Sequence, residues 1–119
     1  MLFRSAPGEE LLCETTSHIA RAELGAAAVF SGITTRTWPS QRGQLRASDP
    51  LAIAHPNAGP YLVSTTAIAV ENTHNFGGGT VQSIEEIKKL RRTSHAMGIS
   101  LHLDGARIWN AHKIGRAHV

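Results

Sequence analysis

Cysteine is almost absent from this chain of 119 residues. Cys13 stands alone, so an intrachain disulfide cannot form and a cysteine-built zinc site is excluded. Aromatic residues are scarce at 5%, leaving few rings on which bases could stack. No run reaches the roughly 18 apolar residues that a membrane-crossing helix needs. The first ten residues, MLFRSAPGEE, lack the apolar core of a signal peptide, so a cytoplasmic protein with no membrane partner is expected. Nothing repeats, and no segment is low in complexity. What is present, 41% hydrophobic and 18% charged residues, is the make-up of one ordinary soluble domain. Twelve Lys and Arg against nine Asp and Glu give a net charge of +3. The arginines, among them Arg4, Arg21, Arg36, Arg46, Arg91 and Arg107, are scattered and form no basic stripe, so no nucleic-acid partner is expected.

Local periodicity and punctuation divide the chain. Leu11 to Glu14 reads as a short strand, and Ser17 stands where an N-cap would start a helix through His18 to Leu24, stopped by Gly25. Ala26 to Phe30 is small and apolar. Trp38-Pro39 to Pro60, rich in Pro, Ser, Asn and Gly, reads as loops and weak helix. The second half is better specified. Thr66 to Val70 (TAIAV) is an apolar run of the kind a buried strand shows, and it ends in Glu71-Asn72-Thr73-His74-Asn75 and then Gly77-Gly78-Gly79. Ser83 and Glu86 form an S-x-x-E capping box, Ile84, Ile87, Leu90 and Arg91 recur on one face, and Gly98 supplies a stop. The spacing predicts a helix from about Ile84 to Ala96. Ile99 to Leu103 alternates and ends at Asp104-Gly105-Ala106-Arg107. Strand, glycine-rich loop, helix and strand make a βαβ crossover, which turns the carboxyl ends of both strands toward one edge. In open α/β sheets that edge is where ligands bind.

Both strand ends carry polar clusters, and the crossover places them near one another. The same residue types turn chains and cap helices, so spacing alone leaves a purely structural role open. Asp104 is the unusual member: directly after an apolar strand it is expected to be partly buried and to need a cationic partner. Seven histidines raise the question of a metal. His102 and Asp104, two apart on a strand, share a face and could chelate as in a metal-dependent hydrolase. No second His pair stands at ligand spacing, and His95 is expected on the helix surface, so no metal is assigned. His18, in the first turn of a helix, reads on its own as a surface or capping residue. Gly77 to Gly79 could cradle a phosphate ahead of the helix, but without the Lys-Ser/Thr ending of a P-loop it reads as a flexible turn.

VENTHNFGGGTV (Val70 to Val81), HLDGARIWNA (His102 to Ala111) and LLCETTSHIARAELGAAAVFSGI (Leu11 to Ile33) together resemble the low-specificity threonine aldolases of the β-eliminating lyase group. The third segment carries a histidine near a helix start and E-x-G a few residues later. The resemblance implies part of the large, mostly parallel-sheet α/β domain of an aspartate-aminotransferase-like (fold type I) enzyme, with pyridoxal 5'-phosphate as cofactor. Asp104 matches the aspartate that pairs with the pyridine nitrogen and keeps the ring an electron sink. His18 matches the histidine that stacks on the ring face and lies near the substrate hydroxyl. Arg107 matches the arginine that holds the substrate carboxylate, a task suited to its planar fork of donors. His18 and Arg107 are thus expected to be catalytic, and His18, Asp104 and Arg107 to bind the cofactor. Glu71 to Asn75 are expected beside it without individual roles. The implied reaction is carbon-carbon lysis, the retro-aldol cleavage of threonine or allo-threonine to glycine and acetaldehyde, in a homotetramer. A related β-eliminating amino-acid lyase is the alternative within the group. A metal-dependent hydrolase using His102 and Asp104, or a non-catalytic truncated chain, lies outside it.

In the family, the lysine that links the cofactor belongs in a serine-lysine segment some tens of residues beyond D-G-A-R. Lys113 follows Arg107 too closely, and Lys88 and Lys89 lie on the capped helix. The cofactor-phosphate segment and the C-terminal small domain are unmatched as well. Residues 1–112 are therefore expected to be a middle portion of the large domain, inactive by itself and with apolar surface left uncovered. Lys113 to Val119 (KIGRAHV) reads as one translated frame of a sequencing adapter and is expected to be a non-native tail.

Overall fold

The computed structural model describes residues 5–117. Four strands, β1 (Glu10–Glu14), β2 (Thr34–Trp38), β3 (Thr65–Glu71) and β4 (Ser100–Asp104), pair in parallel in the order β2-β1-β3-β4. Between and after them lie α1 (His18–Arg21), α2 (Ala26–Ser31), α3 (Ser48–Ile53), α4 (Ile84–Ala96) and α5 (Ile108–Ala117). Parallel neighbours cannot be joined by a tight hairpin, so each connection crosses back over the sheet before the next strand begins. The α/β class with a parallel sheet, expected from the motifs, is the one found.

Alternation along the strands builds two cores, one on each side of the sheet. Leu12, Ile68 and Val70 pack with Trp38, Leu45, Ala47, Leu90 and Ile99, backed by Leu51 and Ile87. On the other side Leu11, Cys13, Ala67 and Ala69 pack with Ile33, backed by Ile19 and Ala27. Burial from both sides is why β1 and β3 read as near-continuous apolar runs. The second core is thinly covered, because only the short α1 and α2 contribute to it. Leu11, Ile19, Ala27, Phe30 and Ile33 line an open groove of about 360 Å³. Leu24 (97%), Phe30 (85%) and Trp109 (76%) stand exposed, so the uncovered apolar surface expected from the sequence is present.

The helix predicted over 84–96 has those bounds. Ser83 Oγ accepts the Glu86 N–H, but the reciprocal half of the capping box is not made: Glu86 Oε2 accepts from Ala47 N at 3.0 Å instead. Ile84, placed on the buried face by spacing, is 60% exposed, and burial along that face starts only at Ile87 and Leu90. At the far end Gly98 takes a left-handed φ of 73°, its N–H bonds to His95 O, and the Ile99 N–H reaches back to Ser94 O. This Schellman closure consumes the Ile99 N–H, so β4 begins at Ser100, one residue later than the apolar pattern suggests.

The helix expected from His18 to Leu24 stops at Arg21. Leu24 and Gly25 both turn left-handed, and Gly25 becomes the N-cap of α2. α1 buries none of its residues fully and meets the second core only through Ile19, so little packing holds a longer helix together. β2 and α5 lie where no element was assigned from the sequence. α5 continues through Ala117, across the start of the expected tail at Lys113, whose last two residues, 118 and 119, lie outside the described ones.

Two polar networks pin the connections to the sheet. Arg36 holds Glu10 with two hydrogen bonds, Nε to Oε2 at 3.0 Å and Nη2 to Oε1 at 2.8 Å, and also donates to Ile53 O. Thr65 Oγ1 adds a third bond to the same carboxylate at 2.6 Å. Gln82, 6% exposed, accepts the Leu45 N–H at 2.7 Å and donates to Gly43 O at 2.8 Å and Glu71 O at 3.1 Å. One buried amide thus joins the segment before α3 to the end of β3.

Candidate active site

The carboxyl ends of β1, β3 and β4 meet at one edge. Glu71 and Asp104 are register partners, and Asn72 N donates to Asp104 O at 3.0 Å, so the pairing carries past the end of β3. The predicted convergence of the two polar clusters is therefore found, and α1 adds His18 from the end of β1. His18, Glu23, Glu71, Thr73, Asn75, Asp104, Ala106 and Arg107 line one open cavity of about 490 Å³. All three residues singled out from the sequence, His18, Asp104 and Arg107, are among them.

His18 is half exposed, and its Nδ1 lies 3.1 Å from Glu23 Oε1. Asp104 is half-buried. Its Oδ1 accepts the Ala106 N–H at 3.3 Å, and its second oxygen has no hydrogen bond among the described residues. The cationic partner that its position calls for is not supplied by any described side chain. Arg107 lines the cavity without a carboxylate partner among the described residues, which leaves its donors available. On α1 the Arg21 guanidinium lies 4.6 Å from the centre of the Phe76 ring.

The stretch Glu71 to Asn75 divides by direction. Thr73 and Asn75 face the cavity, and Glu71 sits beneath it with Oε2 on the N–H of His18 (2.8 Å) and Oε1 on the N–H of Asn75 (3.0 Å). His74, 1% exposed, turns the other way into the protein, where Nε2 lies 2.8 Å from Glu14 Oε2 and Nδ1 accepts the Gly77 N–H. The proton therefore sits on Nε2 and is donated to Glu14. Burial alone would push the Glu14 carboxyl up. The hydroxyl and N–H of Thr16, with His74, outweigh it and hold that carboxyl below the ordinary range.

Gly77 to Gly79 form a structured turn. The Gly77 N–H goes to His74 Nδ1, Gly78 N–H to Asn75 O and Gly79 N–H to His74 O, so no amide of the loop is left to point at a phosphate. The turn reading of this stretch holds. The His102–Asp104 pair does not act as a unit. His102 lines a separate cavity with Arg91, His95 and Ser100, whereas Asp104 joins His18 and Glu23. Ligand atoms of His18, Glu23 and Asp104 lie within 4.8 Å of one another, a spacing that a divalent ion could also span. Glu23 escapes a reading of local periodicity; its signal is the E-x-G that follows the histidine.

The family model for β-eliminating lyases matches residues 1–119, the whole chain. Low-specificity L-threonine aldolase 1 of Arabidopsis thaliana is 30% identical over 113 residues, which cover 93% of this chain and 32% of that protein. The low-specificity L-threonine aldolase of Candida albicans is 33% identical over 108 residues, covering 88% of this chain and 28% of that protein. A solved threonine aldolase structure from Leishmania major superposes with a TM-score of 0.74 at 27% identity, over 90% of this chain and 30% of that one. The chain thus spans about a third or less of the length of these relatives. With its parallel sheet, its motifs and its full-length match, the chain belongs to the β-eliminating lyase family.

Proposed function

We propose that this chain forms the ring-holding part of a pyridoxal-phosphate-dependent aldolase, which cleaves threonine or allo-threonine to glycine and acetaldehyde. The observation that carries this reading is the convergence of His18, Asp104 and Arg107 on one cavity, in a chain whose relatives are named threonine aldolases. The donor set fits the cofactor. Asp104 offers a carboxylate oxygen with no other hydrogen bond among the described residues, suited to a protonated pyridine nitrogen, and His18 offers a flat, half-exposed ring. When bound, pyridoxal phosphate supplies an electron sink for the charge left on Cα.

The chain's own residues do the rest. In neutral His18 the Nδ1 hydrogen is donated to Glu23, which leaves the Nε2 lone pair to take the proton of the substrate β-hydroxyl. The Arg107 guanidinium binds the substrate carboxylate through two parallel N–H donors. Cleavage of Cα–Cβ releases the aldehyde, and a proton returned to Cα completes glycine. The same reading places residues 1–112 in the large domain of a cytoplasmic homotetramer, with 113–119 a non-native tail, and assigns the reaction to threonine breakdown and glycine formation.

Protein expressed from the complete reading frame and supplied with pyridoxal phosphate is expected to form glycine from threonine or allo-threonine. His18→Ala and Asp104→Asn are each expected to lower kcat/KM by about 100-fold or more, the usual scale for a lost general base or a lost electrostatic partner. A protein that binds the cofactor yet forms no glycine from either substrate, and instead eliminates a side chain from another amino acid, overturns the assignment.

A further inference from the structure

Ser17 occupies the N-cap position of α1 with extended backbone, yet its side chain makes no capping bond. The His18 N–H is taken by Glu71 Oε2 at 2.8 Å, from 53 positions along the chain. The other oxygen of that carboxylate accepts the Asn75 N–H at 3.0 Å. Glu71 is 7% exposed and has no ion pair among the described residues, so its two main-chain bonds are what make its burial tolerable. Across the sheet its register partner is Asp104. One buried side chain thus fixes the start of α1 and the loop after β3 relative to the strand pair that ends in Asp104.

We propose that Glu71 is the positioning residue of this site: by holding the His18 backbone it sets the spacing between His18 and Asp104, and with it the orientation of the ring those two residues hold. This rests on the pyridoxal-phosphate reading above. Glu71 acts through His18 and moves no proton itself. Glu71→Gln is nearly isosteric, but its amide presents hydrogens to one of two main-chain N–H groups that both require an acceptor, so one bond is lost and two donors face each other.

The test is a double-mutant cycle between Glu71→Gln and His18→Ala in protein from the complete reading frame. It is read by the circular dichroism of bound pyridoxal phosphate in its visible band and by kcat and KM. In the His18 background Glu71→Gln is expected to halve the cofactor dichroism or more and to lower kcat by about 10- to 100-fold, the scale of one lost charged hydrogen bond, with KM changed less than about threefold because Arg107 is untouched. In the His18→Ala background the same change is expected to alter kcat by less than about twofold. An equal loss in both backgrounds, or unchanged dichroism and kcat, overturns the positioning role while leaving the cofactor assignment standing. Wild-type protein that binds no pyridoxal phosphate overturns both. Should Glu71→Gln fail to fold, Glu71→Asp, which keeps the carboxylate on a shorter arm, is read in the same cycle against the same outcomes.

Discussion

Gln82→Leu preserves the volume of a buried side chain and deletes the three hydrogen bonds through which it joins Leu45 N, Gly43 O and the carbonyl of Glu71. A typical net contribution of about 1 kcal/mol per bond gives about 3 kcal/mol. That is a lower figure, since the donor and two acceptors left behind are enclosed and unsatisfied. With a urea m-value of about 1–3 kcal/mol/M, the unfolding midpoint is expected to fall by about 1–3 M with m unchanged. Amide exchange at Leu45 is expected to accelerate beyond what the global change explains, because its N–H loses its only acceptor from this side chain. Gln82→Glu keeps an oxygen for Leu45 but turns a carboxylate toward two carbonyls. It is expected to cost at least as much at neutral pH and to regain part of the loss on acidification, when a protonated carboxyl can donate again. A midpoint shift below about 0.3 M for Gln82→Leu, with m constant, would falsify the claim that this network fastens the segment before α3 to the sheet.

Burial alone would raise the Glu10 carboxyl, but the hydrogen bonds from Arg36 and Thr65 outweigh it and hold the group below its ordinary 4.5. A depressed carboxylate contributes its stability above its unfolded value and loses it as pH falls through the folded one, so Arg36→Met is expected to destabilise most at neutral pH. The cost, discounted for Arg36's partial exposure, is about 1–2 kcal/mol. The gap should narrow as pH falls below the ordinary Glu10 value, and a gap constant from pH 7 to pH 3 contradicts the ion-pair account. Gly43 has φ +71°, and an added Cβ would sit 2.3 Å from the buried His74 ring, whereas at Gly59 (φ +89°) it would meet nothing within 4 Å. Gly59→Ala is expected to cost only the left-handed penalty of about 1–2 kcal/mol and Gly43→Ala clearly more, and equal melting temperatures would refute the contact. Burial pushes the Cys13 thiol up, so thiol labelling at mildly alkaline pH should track global unfolding. Reaction of native protein as fast as a free thiol would show the second core to be open.

The βαβ half of the fold was legible because several local signals agree there: an apolar run buried from both sides, an N-cap serine, and a glycine placed for a Schellman stop. β2 was hidden for the opposite reason. Its sequence, Thr-Thr-Arg-Thr-Trp, is β-branched, but as an edge strand it buries only Trp38, so no apolar alternation marks it. Asp104 announced itself by its place at the end of an apolar strand, and Arg107 by its place in the D-G-A-R motif. The roles of Glu14, Glu23 and Glu71 did not. Glu14 and Glu71 depend on partners brought near by the order of strands in the sheet, and a carboxylate meeting a main-chain N–H 53 positions away leaves no trace in local spacing. Glu23 meets His18 only five positions back, where the chain turns at Leu24 and Gly25 after α1.

The place of β1 inside the sheet has a consequence for biosynthesis. β1 gains its first neighbour, β2, soon after leaving the ribosome, but its second is β3, with Glu10 meeting Thr65 across 55 positions. Until that stretch is made, one side of β1 is an open edge, and closing so long a span is entropically costly and slow. His18 is fastened only once Glu71 has emerged, and Asp104 arrives later still. The cavity is therefore completed only after β4 has emerged, and a molecule captured there stabilises only chains whose central seam has already closed.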